Sequence, residues 1–161
     1  MPLYTVQAQS VEDVQNTVRF ARERNLRLVI RNTGHDLGGR SSGPEALQLD
    51  VSGLKDITRE ERFEIRGSPK DPGFLGIPAV TVGGGVQMKE VYQLCALEGF
   101  TVVGGGSSSV GIAGGFMQTG GMSVFSPSHG LASDNVLEIE LVVANVSETD
   151  RHHPSLPQNV H

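Results

Sequence analysis

An apolar run at residues 26–30 opens into Arg31-Asn32-Thr33-Gly34-His35-Asp36, followed by Gly38-Gly39-Arg40-Ser41-Ser42-Gly43. The run reads as a short buried strand. A chain that leaves a strand through glycines and small hydroxyl residues leaves backbone N–H groups free to converge on one anion, best a phosphate or pyrophosphate. His35 sits in the middle and is the only histidine in the first 128 residues. A lone loop imidazole is usually a surface residue, so its setting is what makes His35 a candidate.

Glycine distribution adds a second constraint. The 21 glycines of this 161-residue chain concentrate at 34–43, 83–85 and 104–121, which points to local loop duties and not to general disorder. Gly104-Gly105-Gly106-Ser107-Ser108-Ser109-Val110-Gly111-Ile112-Ala113-Gly114-Gly115 interleaves glycine and serine with apolar residues, as in a packed loop entering a helix. Such a stretch supplies N–H groups and hydroxyls, and removes side chains so that a flat ring can lie against backbone.

The two stretches together resemble the FAD-binding loops of the vanillyl-alcohol oxidase / p-cresol methylhydroxylase (PCMH-type) flavoprotein superfamily, in its berberine-bridge-enzyme-like branch of FAD-linked oxidoreductases. The resemblance covers residues 4–145 and implies an α+β fold, with two small lobes (about 1–56 and 79–145) pinching FAD between them. It implies that His35 carries the flavin on its 8α-methyl. It also implies that Arg31, Asn32, Thr33, Gly34, Asp36 and Ser41 surround the pyrophosphate, and that Gly104, Ser107, Ser109, Val110, Gly111, Gly114, Gly115, Gln118 and Gly121 form the second FAD segment. The third segment would supply Gly130, Leu131, Asp134 and Val136. His129 stands where the family often has an aromatic residue, and reads as pocket-lining or turn-forming before it reads as a base. Many relatives carry a second anchor, a cysteine bonded to the flavin 6-position; Ser107 occupies the aligned place and cannot form that thioether. A single covalent link through His35 follows, with a lower flavin potential than in bicovalent relatives.

Local patterns fill in the frame. Ser10-Val11-Glu12-Asp13 reads as a helix start, Val11, Val14, Val18 and Ala21 share one helical face, and Asn25 reads as the C-cap. A strand is expected over 27–31. Leu47, Leu49 and Val51 alternate with polar residues as a half-buried strand would. Residues 66–73 are turn chemistry, residues 79–82 a strand, and 87–98 a helix stopped by Gly99 with Val91, Leu94 and Cys95 inward. Strands are also expected at 101–103 and 137–144. The domain is expected over 1–145 as a partial FAD-binding domain, with 146–161 a disordered tail and the substrate domain absent.

Composition narrows the function class. A net charge of −5 gives no reason to expect nucleic-acid or anionic-membrane partners. No apolar run approaches the ~20 residues needed to span a bilayer. One cysteine excludes a disulfide framework, and His152, His153 and His161 have no carboxylate or thiol at ligand spacing, so no metal site is expected. No secretory signal precedes the first helix, although relatives are often secreted, and location stays open. The resemblance implies hydride transfer from a small organic substrate to flavin N5, with O2 as acceptor, on secondary metabolites or carbohydrates. The catalytic base would lie outside this chain. The alternatives are a catalytically silent FAD-binding fragment and a module that pairs with a separate substrate-binding chain.

Overall fold

The computed structural model describes residues 1–66 and 75–144. Most of the turn expected at 66–73, and the tail at 146–161 with its three histidines, lie outside the described residues.

The first unit is a parallel three-stranded sheet made of β1 (Tyr4–Gln7), β2 (Leu28–Arg31) and β3 (Leu47–Asp50), in the order β1-β3-β2. Helix α1 (Val11–Glu23) joins β1 to β2. It begins as expected: Ser10 Oγ accepts from Asp13 N at 3.1 Å while Asp13 Oδ2 accepts from Ser10 N at 3.0 Å, so two orphan N–H groups are satisfied reciprocally. Its end differs by one place. Arg24 is the cap and Asn25 follows at φ +50°, a left-handed conformation that asparagine tolerates.

Two expectations about this sheet are corrected. Among residues 26–30 only Val29 is fully buried, while Ile30 is 59% exposed, because β2 is an edge strand. The polar residues Gln48 and Asp50 of β3 do not face solvent but are buried. The central strand is covered on both faces, and a polar side chain survives there only with partners. Gln48 has them in Thr5 Oγ1, which donates to it at 3.1 Å, and the Ser41 carbonyl, which accepts at 2.6 Å. Asp50 pairs with Arg31 and accepts from Ser52 N at 2.9 Å.

The second unit pairs β4 (Ile57–Phe63) and β5 (Ile77–Val82) as an antiparallel ladder, followed by α2 (Met88–Glu98). Val86, Met88, Val91 and Ile112 form its buried core, with Ile57, Val82, Cys95, Val102 and Phe116 packed around them. Gly99 ends α2 at φ +71°, its N–H donating to the Cys95 carbonyl at 2.9 Å. Cys95 is a packing residue, as expected, and burial pushes its thiol pKa up. The strands expected at 101–103 and 137–144 do not form among the described residues. Apolar patterning records which side chains are sheltered, whereas a strand also needs a paired strand for its backbone; Val102 is sheltered by the α2 core and pairs with no strand among the described residues.

The α+β architecture with two sheet-and-helix units is therefore present, and the units are closely tied. Lys55 Nζ donates to the Gly85 carbonyl and to Glu90 Oε2, both at 2.7 Å. Gly85 N donates to the Leu54 carbonyl at 2.9 Å. A Cβ at Gly85 would collide with the backbone of Val51 and Ser52, and one at Gly83 with that of Leu54, so these two glycines serve backbone-on-backbone packing between the units.

Candidate functional site

The loop after β2 meets the turn after β5 at one point and the glycine segment after α2 at two. Asn32 Nδ2 donates to the Gly84 carbonyl. Thr33 Oγ1 accepts from Gly111 N at 3.2 Å, and His35 Nε2 lies 2.9 Å from Ser109 Oγ. Residues 74 to 78 apart in sequence are thus brought together at the point singled out by the loop chemistry.

The second segment is held by α2. The first N–H groups of a helix have no partner within it. Here Met88 N donates to the Val110 carbonyl at 2.9 Å and Lys89 N to the Ser108 carbonyl at 3.0 Å. A bridge between Gln87 and Gly111, and Ile112 N on the Val86 carbonyl at 3.0 Å, complete the attachment. Ser109 is therefore presented by backbone bonds on both sides of it, with its side chain exposed.

The Asn32 carboxamide is wedged against glycines. A Cβ at Gly111 would stand 2.6 Å from Asn32 Oδ1, and one at Gly114 3.0 Å from its Nδ2. Oδ1 is buried and makes no hydrogen bond among the described residues. Asn32 thus turns its side chain into the protein, leaving its backbone as the part available to a ligand.

Other faces of the loops are open. Gly39, Gly106 and Gly115 have nothing within 4 Å of where a Cβ would stand, so a flat group can approach their backbone. The N–H groups of Gly34, His35 and Leu37 make no hydrogen bond among the described residues. Bare glycine walls beside unspent donors fit a dinucleotide with a pyrophosphate and a planar ring. Asp36 does not compete for those donors: it accepts from Arg40 N at 2.6 Å and from Arg40 Nε at 3.0 Å. These bonds from Arg40, side chain first and backbone second, hold its pKa at about 2.

The remaining expected residues fall elsewhere. Ser41 is buried under β3 through Gln48, and Ser107 and Gln118 are exposed. Gly121, Gly130, Leu131, Asp134 and Val136 belong to a segment that folds on itself around α3 (Ser126–His129). Asp134 Oδ2 accepts from Leu131 N at 2.8 Å and so holds the turn, and Ala132 N donates to the Gly121 carbonyl at 2.9 Å. Phe116 joins this segment to the second one by packing against both Gly105 and Gly121. His129 is exposed, with Nδ1 2.8 Å from Ser128 Oγ and its ring edge-on to Phe125, a turn arrangement. Sequence reasoning missed two supports: the Gly84 carbonyl under Asn32, and Tyr92, whose hydroxyl donates to the Gly105 carbonyl at 2.5 Å. Nothing in the local pattern marks Tyr92, which occupies an ordinary inward position of α2.

A fold with two such glycine walls meeting at a histidine defines a flavin-nucleotide-binding domain. The family model described as FAD binding domain matches residues 2–147, and the chain belongs to that family. It is 51% identical over 150 residues to the FAD-linked oxidoreductase malF of Malbranchea aurantiaca, a match covering 91% of this chain and 25% of malF. It is 48% identical over 160 residues to the FAD-linked oxidoreductase penH of Penicillium thymicola, covering 97% of this chain and 27% of penH. Among solved structures it is similar to the VAO-type flavoprotein MtVAO615 of Myceliophthora thermophila C1, with a TM-score of 0.78 at 39% identity, over 93% of this chain and 25% of the other. The chain spans about a quarter of the length of the curated relatives it matches.

Proposed function

We propose that this chain is the FAD-binding portion of an FAD-linked oxidoreductase that oxidises a small organic molecule of secondary metabolism, with O2 as the final acceptor. Bound FAD would supply a two-electron acceptor at flavin N5. The chain's own part is to hold it: backbone N–H groups of Gly34, His35 and Leu37 toward the pyrophosphate, and the open faces of Gly106 and Gly115 beside a planar ring. His35 is proposed as the covalent anchor, and Ser107 excludes a thioether at its position, so the link is single. The observation that carries this reading is the junction of the two glycine walls at His35 and Ser109, 2.9 Å apart. An imidazole can offer a neutral nitrogen at neutral pH, which a covalent link requires.

The deciding experiment is the absorbance spectrum of the purified protein before and after acid precipitation, in wild type and in His35→Ala. Yellow flavin retained in the wild-type pellet and released from the variant is the expected result. The competing reading, raised by the sequence, is a silent FAD-binding fragment. Under it the protein takes up FAD but no candidate metabolite bleaches the flavin under anaerobic conditions.

A further inference from the structure

We propose that Ser109 is a positioning residue that selects which nitrogen of His35 bonds to the flavin, by engaging Nε2 and leaving Nδ1 as the bare nucleophile. The inference rests on the covalent reading above.

A neutral imidazole has one N–H and one lone pair, and the partner of one nitrogen decides the role of the other. His35 Nε2 has Ser109 Oγ at 2.9 Å, whereas Nδ1 has no hydrogen-bond partner among the described residues. With the proton on Nε2 donated to Ser109, the lone pair lies on Nδ1. Ser109 can hold this choice because its flanking carbonyls, Ser108 and Val110, accept from the first N–H groups of α2 at 3.0 and 2.9 Å. His35 itself is exposed on a loop of glycines and would otherwise turn freely. The arrangement fixes ring orientation as a second group does for a working histidine, with the hydroxyl, able to donate or to accept, in the acceptor role.

Nδ1 of His35 forms a bond to the 8α-carbon, and one C–H bond of that methyl breaks. The methyl hydrogen leaves as a proton, and the Nε2 proton leaves through Ser109 Oγ to solvent. The electron pair of the broken C–H bond reduces the flavin. Dioxygen then takes that pair and two protons as hydrogen peroxide, which returns the tethered flavin to its oxidised form.

The test compares wild type, Ser109→Ala and Ser109→Thr, each given saturating FAD, by the first-order appearance of acid-stable flavin. The flavin peptide from each is then digested and its histidyl-flavin isomer identified. The expected result is attachment through Nδ1 in wild type, slowing on the order of tenfold in S109A, a mixed isomer in S109A, and recovery in S109T, which keeps the hydroxyl. Equal rates and a single isomer in wild type and S109A would overturn the role of Ser109 while leaving the covalent link standing. Attachment through Nε2 in wild type does the same, and so does failure of S109A to saturate with FAD, which makes Ser109 a binding residue. Wild-type flavin released by acid removes the covalent reading and this inference together. Independently of loading, 15N spectra of the cofactor-free chain above neutral pH should show the His35 proton on Nε2; a proton on Nδ1 overturns the inference.

Discussion

Asn32 donates its Nδ2 to the carbonyl of Gly84, 52 residues further along the chain, and so pins the loop after β2 to the turn after β5. Its Oδ1 is buried without a partner among the described residues, an arrangement that costs stability. The carboxamide also fills the space that side chains at 111 and 114 would need. One residue thus sets the spacing of the two glycine walls.

Gly111→Ala tests that spacing. Its methyl would stand 2.6 Å from Asn32 Oδ1, so the walls must part. A loss of about 1–3 kcal/mol is expected from overpacking of this kind, read from urea unfolding. Gly106→Ala is the counterpart, since nothing lies within 4 Å of its Cβ position. Its stability should stay within about 0.5 kcal/mol of wild type, while retention of FAD falls. A Gly111→Ala protein as stable as wild type would count against the wedge.

The chemistry of the site was more legible in the sequence than its pairing. The loop at residues 31–36 and the segment at 104–115 carry their own signal, because glycine and hydroxyl residues at a strand exit have few structural uses, and both come together at His35 and Ser109. The helix ends were legible for the same local reason: Ser10 with Asp13, and Gly99 after Glu98. Residues 101–103 and 137–144 were misread because patterning cannot say whether a backbone finds a neighbour. Gln48 and Asp50 look like a solvent face until β1 and β2 are seen on either side of β3. Asn32 reads as a ligand contact, and only the close approach of Gly111 shows that its side chain turns inward.

Tyr92→Phe should loosen the second wall from behind. The hydroxyl donates to the Gly105 carbonyl at 2.5 Å, and burial raises its pKa, so it stays a donor throughout the neutral range. Removing it should cost about 1 kcal/mol and speed the release of non-covalent FAD. Unchanged FAD release would confine Tyr92 to packing.

Asp36 should show its pairing in acid. Its folded pKa lies at about 2 and its ordinary value at 3.8. A lowered carboxylate pKa stabilises the fold above the unfolded value, and that contribution is lost as pH falls toward the folded one. Asp36→Asn should therefore differ from wild type above about pH 4 and converge with it near pH 2. The difference should be small because the pair with Arg40 is exposed. Carboxyl titration by NMR gives the folded pKa directly, and a value near 3.8 would remove the pairing as its cause.

Asp50 and Arg31 make the more consequential pair, since the Asp50 side chain is 4% exposed and Arg31 lies immediately before the ligand loop. Burial pushes the Asp50 pKa up, but hydrogen bonds from Arg31 and Ser52 and the Arg31 charge outweigh it, and the net shift is downward. Its contribution is thus present above the unfolded value of about 3.9 and fades as pH falls below it. Arg31→Met should be the harsher change, because it leaves a buried carboxylate without its cation. Its pKa should then rise above the ordinary range, and stability at pH 7 should fall by about 1–3 kcal/mol. Asp50→Asn leaves only a half-exposed arginine unpaired and should cost less. In the double variant the two losses should not add, because the second substitution removes a charge already stranded by the first. Strict additivity across this cycle at pH 7 would mean that the two side chains hold β2 and β3 independently, and that the loop bearing His35 does not depend on their pairing.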